Sequence, residues 1–260
     1  MRLVLLVLFL VCISCSTENP PSDGGGGQVV PGTSPPFWGT IFIDPDIITE
    51  EDPTTYVSTE PAGRGIRTMY DRRVSDWVEE NAYLFNVTFE GGKVVESQVN
   101  PEFSEERALA LTIEYAQVIG RIPLALLADV ETLWIHDGEE LWGGGNNNLL
   151  IHDLQGEVYA KDGIMEEVFV HEAAHTSLDA YHANAEGWLT AQQQDPTFIS
   201  TYAKDNPERE DIAESYLTFL AIELQSDRIS EGLHDTILAA IPHRLEYFRS
   251  QNFNHFPMGN

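Results

Sequence analysis

The chain has 260 residues, with 42 Asp+Glu against 14 Lys+Arg and a formal net charge of -28. A field that negative repels phosphate backbones and anionic headgroups, which excludes nucleic acid as a partner and any membrane contact through a basic surface. At 42% hydrophobic and 10% aromatic residues the bulk is globular. Its two cysteines, Cys12 and Cys15, leave the folded part without a disulfide framework or a cysteine-ligated metal.

Met1-Arg2 followed by the unbroken apolar run Leu3 to Val11 fits the core of a secretory signal and is too short to span a bilayer. The string Cys12-Ile13-Ser14-Cys15 resembles a bacterial lipoprotein signal, in which a small residue precedes a cysteine that is lipidated and becomes the new N-terminus. The resemblance implies a signal over 1–15, lipidation of Cys15 and anchoring to a membrane surface. Ordinary signal cleavage nearby, with free secretion, is the alternative, and both place the protein outside the cytoplasm. Residues 16–36, rich in Gly, Pro and Ser, read as a flexible spacer, and 37–260 as one domain expected to act as a monomer.

Within that domain Trp38 to Ile43 reads as a strand, and Ile66, Met69, Tyr70, Val74, Trp77 and Val78 follow a helical period over 64–79. Residues 83–99 read as a hairpin about Glu90-Gly91-Gly92-Lys93. Ser104-Glu105-Glu106 opens a helix to about Val118. Two strands, Val130 to His136 and Asn148 to His152, flank a loop through Gly143-Gly144-Gly145, and helical patterns follow from residue 162. Strands early and helices late predict an α+β fold: a mixed sheet with helices, then a mainly helical half.

Residues 162–178 predict one helix capped by Asp162, and inside it lies His171-Glu172-Ala173-Ala174-His175. Four residues are just over a turn, so both imidazoles share a face and can bind one ion, while Glu172 is offset enough to reach a water beside it. The competing reading is two histidines satisfied on an ordinary buried helix. A zinc hydrolase needs a third protein ligand and a free fourth position. His182 misses the metzincin register by one residue. Asp179 lies a turn beyond His175 and suits a helix end, or a carboxylate supporting a ligand from behind.

The third possibility is a helix capped by Asn206 with Pro207 in its first turn. Its apolar stripe, Ala213, Tyr216, Leu217, Leu220 and Leu224, has Glu210 and Glu214 on one edge, while Glu208 and Asp211 point away. Two acids on a buried edge are costly unless something positive meets them. Otherwise they rim a solvated face.

An H-E-x-x-H helix followed by a distant glutamate resembles the gluzincins, the thermolysin-like zinc metallopeptidases. The string Thr201-Tyr202-Ala203, then Glu210-Asp211-Ile212-Ala213-Glu214, is similar to that of lethal-factor-type peptidases. The resemblance covers roughly residues 162–220. It implies a zincin-like fold and one zinc ion held by His171, His175 and Glu210, with Glu214 orienting an imidazole. Glu172 is then the general base that takes a proton from water and returns it to the leaving amine. Tyr202 faces the oxyanion, with His243 as the alternative. By analogy with such folds the strand Asn148 to His152 pairs with an extended substrate, a peptide or protein. A tethered binding module with a structural zinc, or a hydrolase of a non-peptide amide, is the other class of reading.

Overall fold

The computed structural model describes residues 34–259. The signal-like segment, Cys15 and most of the spacer lie outside the described residues.

Tyr56–Asp71 (β1) and Asp76–Phe89 (β2) form a long antiparallel hairpin, followed by Val94–Val99 (β3). The helix expected over 64–79 is the far half of that hairpin. Met69 pairs with Val78 and Tyr70 with Trp77 across a turn at 72–75. Apolar residues mirrored about a tight turn recur at intervals close to two helical turns, which is the source of the false period. The second hairpin falls as expected, turning at Gly91 and Gly92.

Glu105–Ile119 (α1) is capped by the Ser104 side chain, which accepts from the Arg107 N–H, and it crosses to Thr132–His136 (β4), parallel to β3. The glycines expected as a loop form Gly143–Gly145 (β5), antiparallel to Asn148–His152 (β6). Asn146 and Asn147, at φ +50° and +60°, make the two-residue connection, a geometry that asparagine tolerates. The sheet order is β1-β2-β3-β4-β6-β5, so β6 is an interior strand and the edge at this end is β5. The free strand edge expected at Asn148 to His152 is therefore not there; β5 occupies it.

Alternation along β4 sorts the two faces. Leu133 and Ile135 join the main core with Leu149, Ile151, Leu111 and Phe169. Trp134 faces the other way, clustering with Met69, Ala82, Leu84 and Leu150, and the hairpin end closes this face as Trp77 meets Trp134 edge-on at 5.4 Å.

The helix expected over 162–178 forms as Met165–Ser177, but Asp162 does not cap it; that residue ends an additional, unanticipated helix. Asp153–Asp162 (α2) ends at Gly163, whose φ of +76° closes a left-handed cap; Met165–Ser177 (α3) then begins without a side-chain cap. Helix α2 carries no apolar stripe to announce it: its buried residues are Asp153 and Gly156, and Leu154 and Val158 are exposed. Asp179–His182 (α4), Glu186–Gln194 (α5), Thr201–Asp205 (α6), Asp211–Glu223 (α7), Glu231–Ala240 (α8) and Pro242–Ser250 (α9) complete the chain. Asn206 closes α6, its Nδ2 donating to the Tyr202 carbonyl at 3.1 Å, instead of capping α7.

Helix α7 is buried from Asp211 to Ile222, so Asp211 does not point away as expected. Its carboxylate accepts from Arg244 Nε and Gln192 Nε2, both at 2.9 Å. Arg244, itself fully buried, also holds Asp195 at 3.0 Å.

Trp38 to Ile43 is not a strand. It belongs to an irregular strap crossing the helices, bridged to them where Phe37 pairs with Ser200. The buried Glu167 on α3 accepts from the N–H groups of Ile43 at 2.8 Å and Ile47 at 3.4 Å. Burial pushes the Glu167 carboxyl up to about 8, against the pull of these two donors.

Two outcomes follow. Arg244→Ala leaves two carboxyls buried without their cation and is expected to cost about 3–5 kcal/mol in urea unfolding. Glu167 in the native state holds, up to about pH 8, a proton that the unfolded chain releases near 4.5. Its contribution is thus complete below the lower value and is lost as pH rises to the upper one, with a slope of up to about 1.4 kcal/mol per pH unit. Glu167→Gln removes that slope, and unfolding of metal-free protein across this window measures it.

Candidate metal centre

Helix α3 presents His171 and His175 one turn apart on the side facing α7. Its register is set by Val168, Phe169, Val170, Ala173 and Ala174 in the core. Its backbone lies directly on the edge strand: a Cβ at Gly144 would sit 1.8 Å from the Glu172 carbonyl oxygen. Thr176 Oγ1 ties the two together, donating to the Asn148 carbonyl at 2.9 Å and accepting from the Gly145 N–H at 2.8 Å. The glycine run is thus a requirement of close approach, and it brings β5 against the histidine-bearing turn.

Glu210 occupies the position just before α7, and Glu214 follows one turn later. His171 Nε2 and His175 Nε2 are 3.1 Å apart, and Glu210 Oε2 lies 3.3 Å from the first and 3.2 Å from the second. Three ligand atoms at about 2.0–2.1 Å from one tetrahedral ion are about 3.3 Å from each other, so the triangle has the size that such an ion requires. These three are the group of His and acidic side chains that could hold a metal ion among the described residues.

Each imidazole has a carboxylate behind it. His175 Nδ1 donates to Asp179 Oδ2 at 2.8 Å, and His171 Nδ1 faces Glu214 Oε1 at 3.5 Å. With the Nδ1 positions carrying the protons, both Nε2 atoms present lone pairs to each other and to Glu210 Oε2. Three lone pairs at van der Waals distance repel unless a cation, proton or metal, stands among them.

The local electrostatics have the same sense. Burial lowers the pKa of His175, but Asp179 and Glu210 overcome it and carry it up to about 10. His171 is likewise raised, burial being outweighed by Glu210 and the neighbouring acids. Glu210 is the converse: burial raises its pKa, and the two histidines drive it far below the usual carboxylate range. Burial takes Glu214 up to about 7, with His171 and Ser200 opposing.

Glu172 is half-buried beside the triangle, and its charge helps raise the pKa of both histidines. Tyr202 is half-buried at the start of α6; burial raises its phenol pKa, and the adjacent Glu210 and Glu172 add to this. The structure therefore brings together His171, Glu172, His175, Asp179, Tyr202, Glu210 and Glu214. It does not bring in His182, whose Nδ1 meets the Tyr247 hydroxyl at 2.7 Å, or His152, fully buried under the hairpin. Nor does it bring in His243, exposed at the start of α9 with its N–H on Asp195.

Sequence reasoning missed two neighbours. Tyr159 on α2 has its phenol pushed up to about 12, by burial first and then by the Glu172 charge. Ser200 donates to Glu214 Oε2 at 2.6 Å; its place before Thr201, as an N-cap residue, was the available signal.

Comparison with protein-family models, with curated proteins and with solved structures finds no match to this chain.

A cation entering this triangle displaces a proton from His175 at any pH below about 10. Apparent affinity for a divalent transition metal is therefore expected to fall about tenfold per unit as pH drops below about 10, and more steeply once His171 also holds its proton, measured by chelator competition.

Proposed function

We propose that the protein is a zinc-dependent metallopeptidase of gluzincin type, with a zincin-like domain that works outside the cytoplasm. The observation that carries this reading is the triangle of His171 Nε2, His175 Nε2 and Glu210 Oε2, with edges of 3.1–3.3 Å and each imidazole backed by a carboxylate. Two imidazoles and one carboxylate, with side-chain exposures of 11%, 16% and 5%, form a nearly buried set that leaves a solvent side for a fourth position.

Bound there, zinc would supply a water acidic enough to lose its proton near neutrality and would polarise a scissile carbonyl. Glu172, adjacent to the triangle and not part of it, takes that proton and delivers it to the departing amine. Tyr202, kept protonated by its raised pKa, donates to the oxygen that gains charge as the carbonyl carbon becomes tetrahedral. An extended peptide would pair with the outer edge of β5, which carries no side chains to obstruct it, although the Gly145 N–H is already held by Thr176. Its scissile bond would then lie over the Glu172 turn.

The extracytoplasmic assignment rests on the resemblance at Cys12-Ile13-Ser14-Cys15, with Cys15 as the lipidated residue. No helix among the described residues is long and apolar enough to cross a membrane.

Glu172→Gln tests the reading. The variant is expected to retain one zinc per chain and to lose hydrolysis of a quenched-fluorescence peptide library by about 10²–10⁴-fold. Full retention of hydrolysis would remove Glu172 from the chemistry, and a wild type that takes up zinc but cleaves no library member would favour a structural ion.

A further inference from the structure

The mechanism leaves unused a feature that touches nearly every part of the site. Buried carboxyls from both metal-bearing helices spend their hydrogen bonds on one segment of irregular chain. Glu167, a turn before His171 on α3, takes the N–H groups of Ile43 and Ile47, while Glu214 on α7 takes the Ile41 N–H at 3.0 Å. Glu214 Oε2 accepts also from Ser200 Oγ at 2.6 Å, and Ser200 is the residue bridged to Phe37. With Oε2 doubly engaged, the carboxylate cannot rotate, and Oε1 is left with no hydrogen bond except its approach to His171 Nδ1 at 3.5 Å.

The same segment grips the chain that carries Tyr202. The Thr201 N–H donates to the Phe37 carbonyl at 2.9 Å and the Gly39 N–H to Thr201 Oγ1 at 2.8 Å. Tyr202 follows, its own N–H reaching the Gly39 carbonyl at 3.4 Å. Downstream, Arg228 locks the end of the strap, donating to the Ile47 carbonyl at 2.9 Å and to Asp52 Oδ1 at 2.6 Å.

We propose that the strap from Phe37 to Ile48 is a positioning element of the metal centre. Its Ile41 N–H, together with Ser200 Oγ, sets the orientation of Glu214 and through it the His171 ring, and its Phe37–Gly39 backbone sets the place of Tyr202. This rests on the metal-centre reading. A cover would need only the buried side chains of Ile41, Ile43, Ile47 and Ile48; the structure adds backbone donors aimed at the carboxyl behind a ligand. Groups that orient a metal-binding imidazole typically contribute 10–100-fold to metal affinity.

The test uses the full-length chain loaded with Co²⁺, whose visible absorption reports ligand geometry. Ile41→Pro deletes the strap's donor to Glu214, and Ser200→Ala deletes the other; Phe42→Pro is the control, because the Phe42 N–H meets no acceptor among the described residues. Ile41→Pro and Ser200→Ala are each expected to weaken Co²⁺ binding about tenfold or more and to alter the absorption bands, with the metal-free far-UV circular dichroism unchanged. Phe42→Pro is expected to bind within about twofold of wild type. Should Ile41→Pro fail to fold, Ser200→Ala carries the test, with Ser200→Thr, which keeps the hydroxyl, expected to restore affinity. Folded variants that bind Co²⁺ like wild type would overturn the strap's role and leave the metal centre standing. A loss as large in Phe42→Pro would likewise overturn it. A wild-type chain that takes up no Co²⁺ would overturn the metal-centre reading itself.

Discussion

The site depends on a mutual constraint: two imidazole nitrogens and one carboxylate oxygen are held about 3 Å apart, so that their lone pairs converge wherever no proton or metal stands between them. Such a triangle is unstable alone. It persists because α3 and α7 are each fixed by the core, because Asp179 and Glu214 stand behind the rings, and because positive charge is favoured at its centre. The raised pKa values of both histidines and the lowered one of Glu210 express that preference in protons.

Four acids on α3, on α7 and at the N-terminal end of α7 are buried, and the fold accommodates them in three ways. Asp211 is met by a buried guanidinium, Arg244. Glu167 and Glu214 are met mainly by N–H and O–H donors, and their pKa values stay raised, at about 8 and about 7. Neutral donors offset only part of the desolvation. Glu210 alone is met by two titratable rings and is driven strongly the other way. Glu210 is thus the one of the four whose buried charge histidine or metal compensates.

Much of the site was legible in the sequence because it depends on helical spacing. His171 and His175, or Glu210 and Glu214, need only a turn between them to share a face, and that survives the error over where α7 begins. The hairpin about Glu90 to Lys93 and the Ser104 cap were likewise readable from local chemistry. What failed was whatever tertiary partners decide. Met69, Tyr70, Trp77 and Val78 mimicked a helix because strand pairing reflects sequence about a turn. Helix α2 has little apolar face to betray it, and Asp211 looked solvated because Arg244 lies 33 residues away. The strap was hidden for the same reason, since its bonds are backbone donors to distant side chains, which no residue pattern encodes.

The most direct test of this account is the zinc content of the purified chain together with X-ray absorption at the zinc edge. The account predicts one zinc per chain, four-coordinate, with two imidazole nitrogens and carboxylate and water oxygens at about 2.0–2.1 Å. A chain that neither carries zinc nor takes it up at micromolar concentration, or a zinc whose shell lacks imidazole, would contradict it.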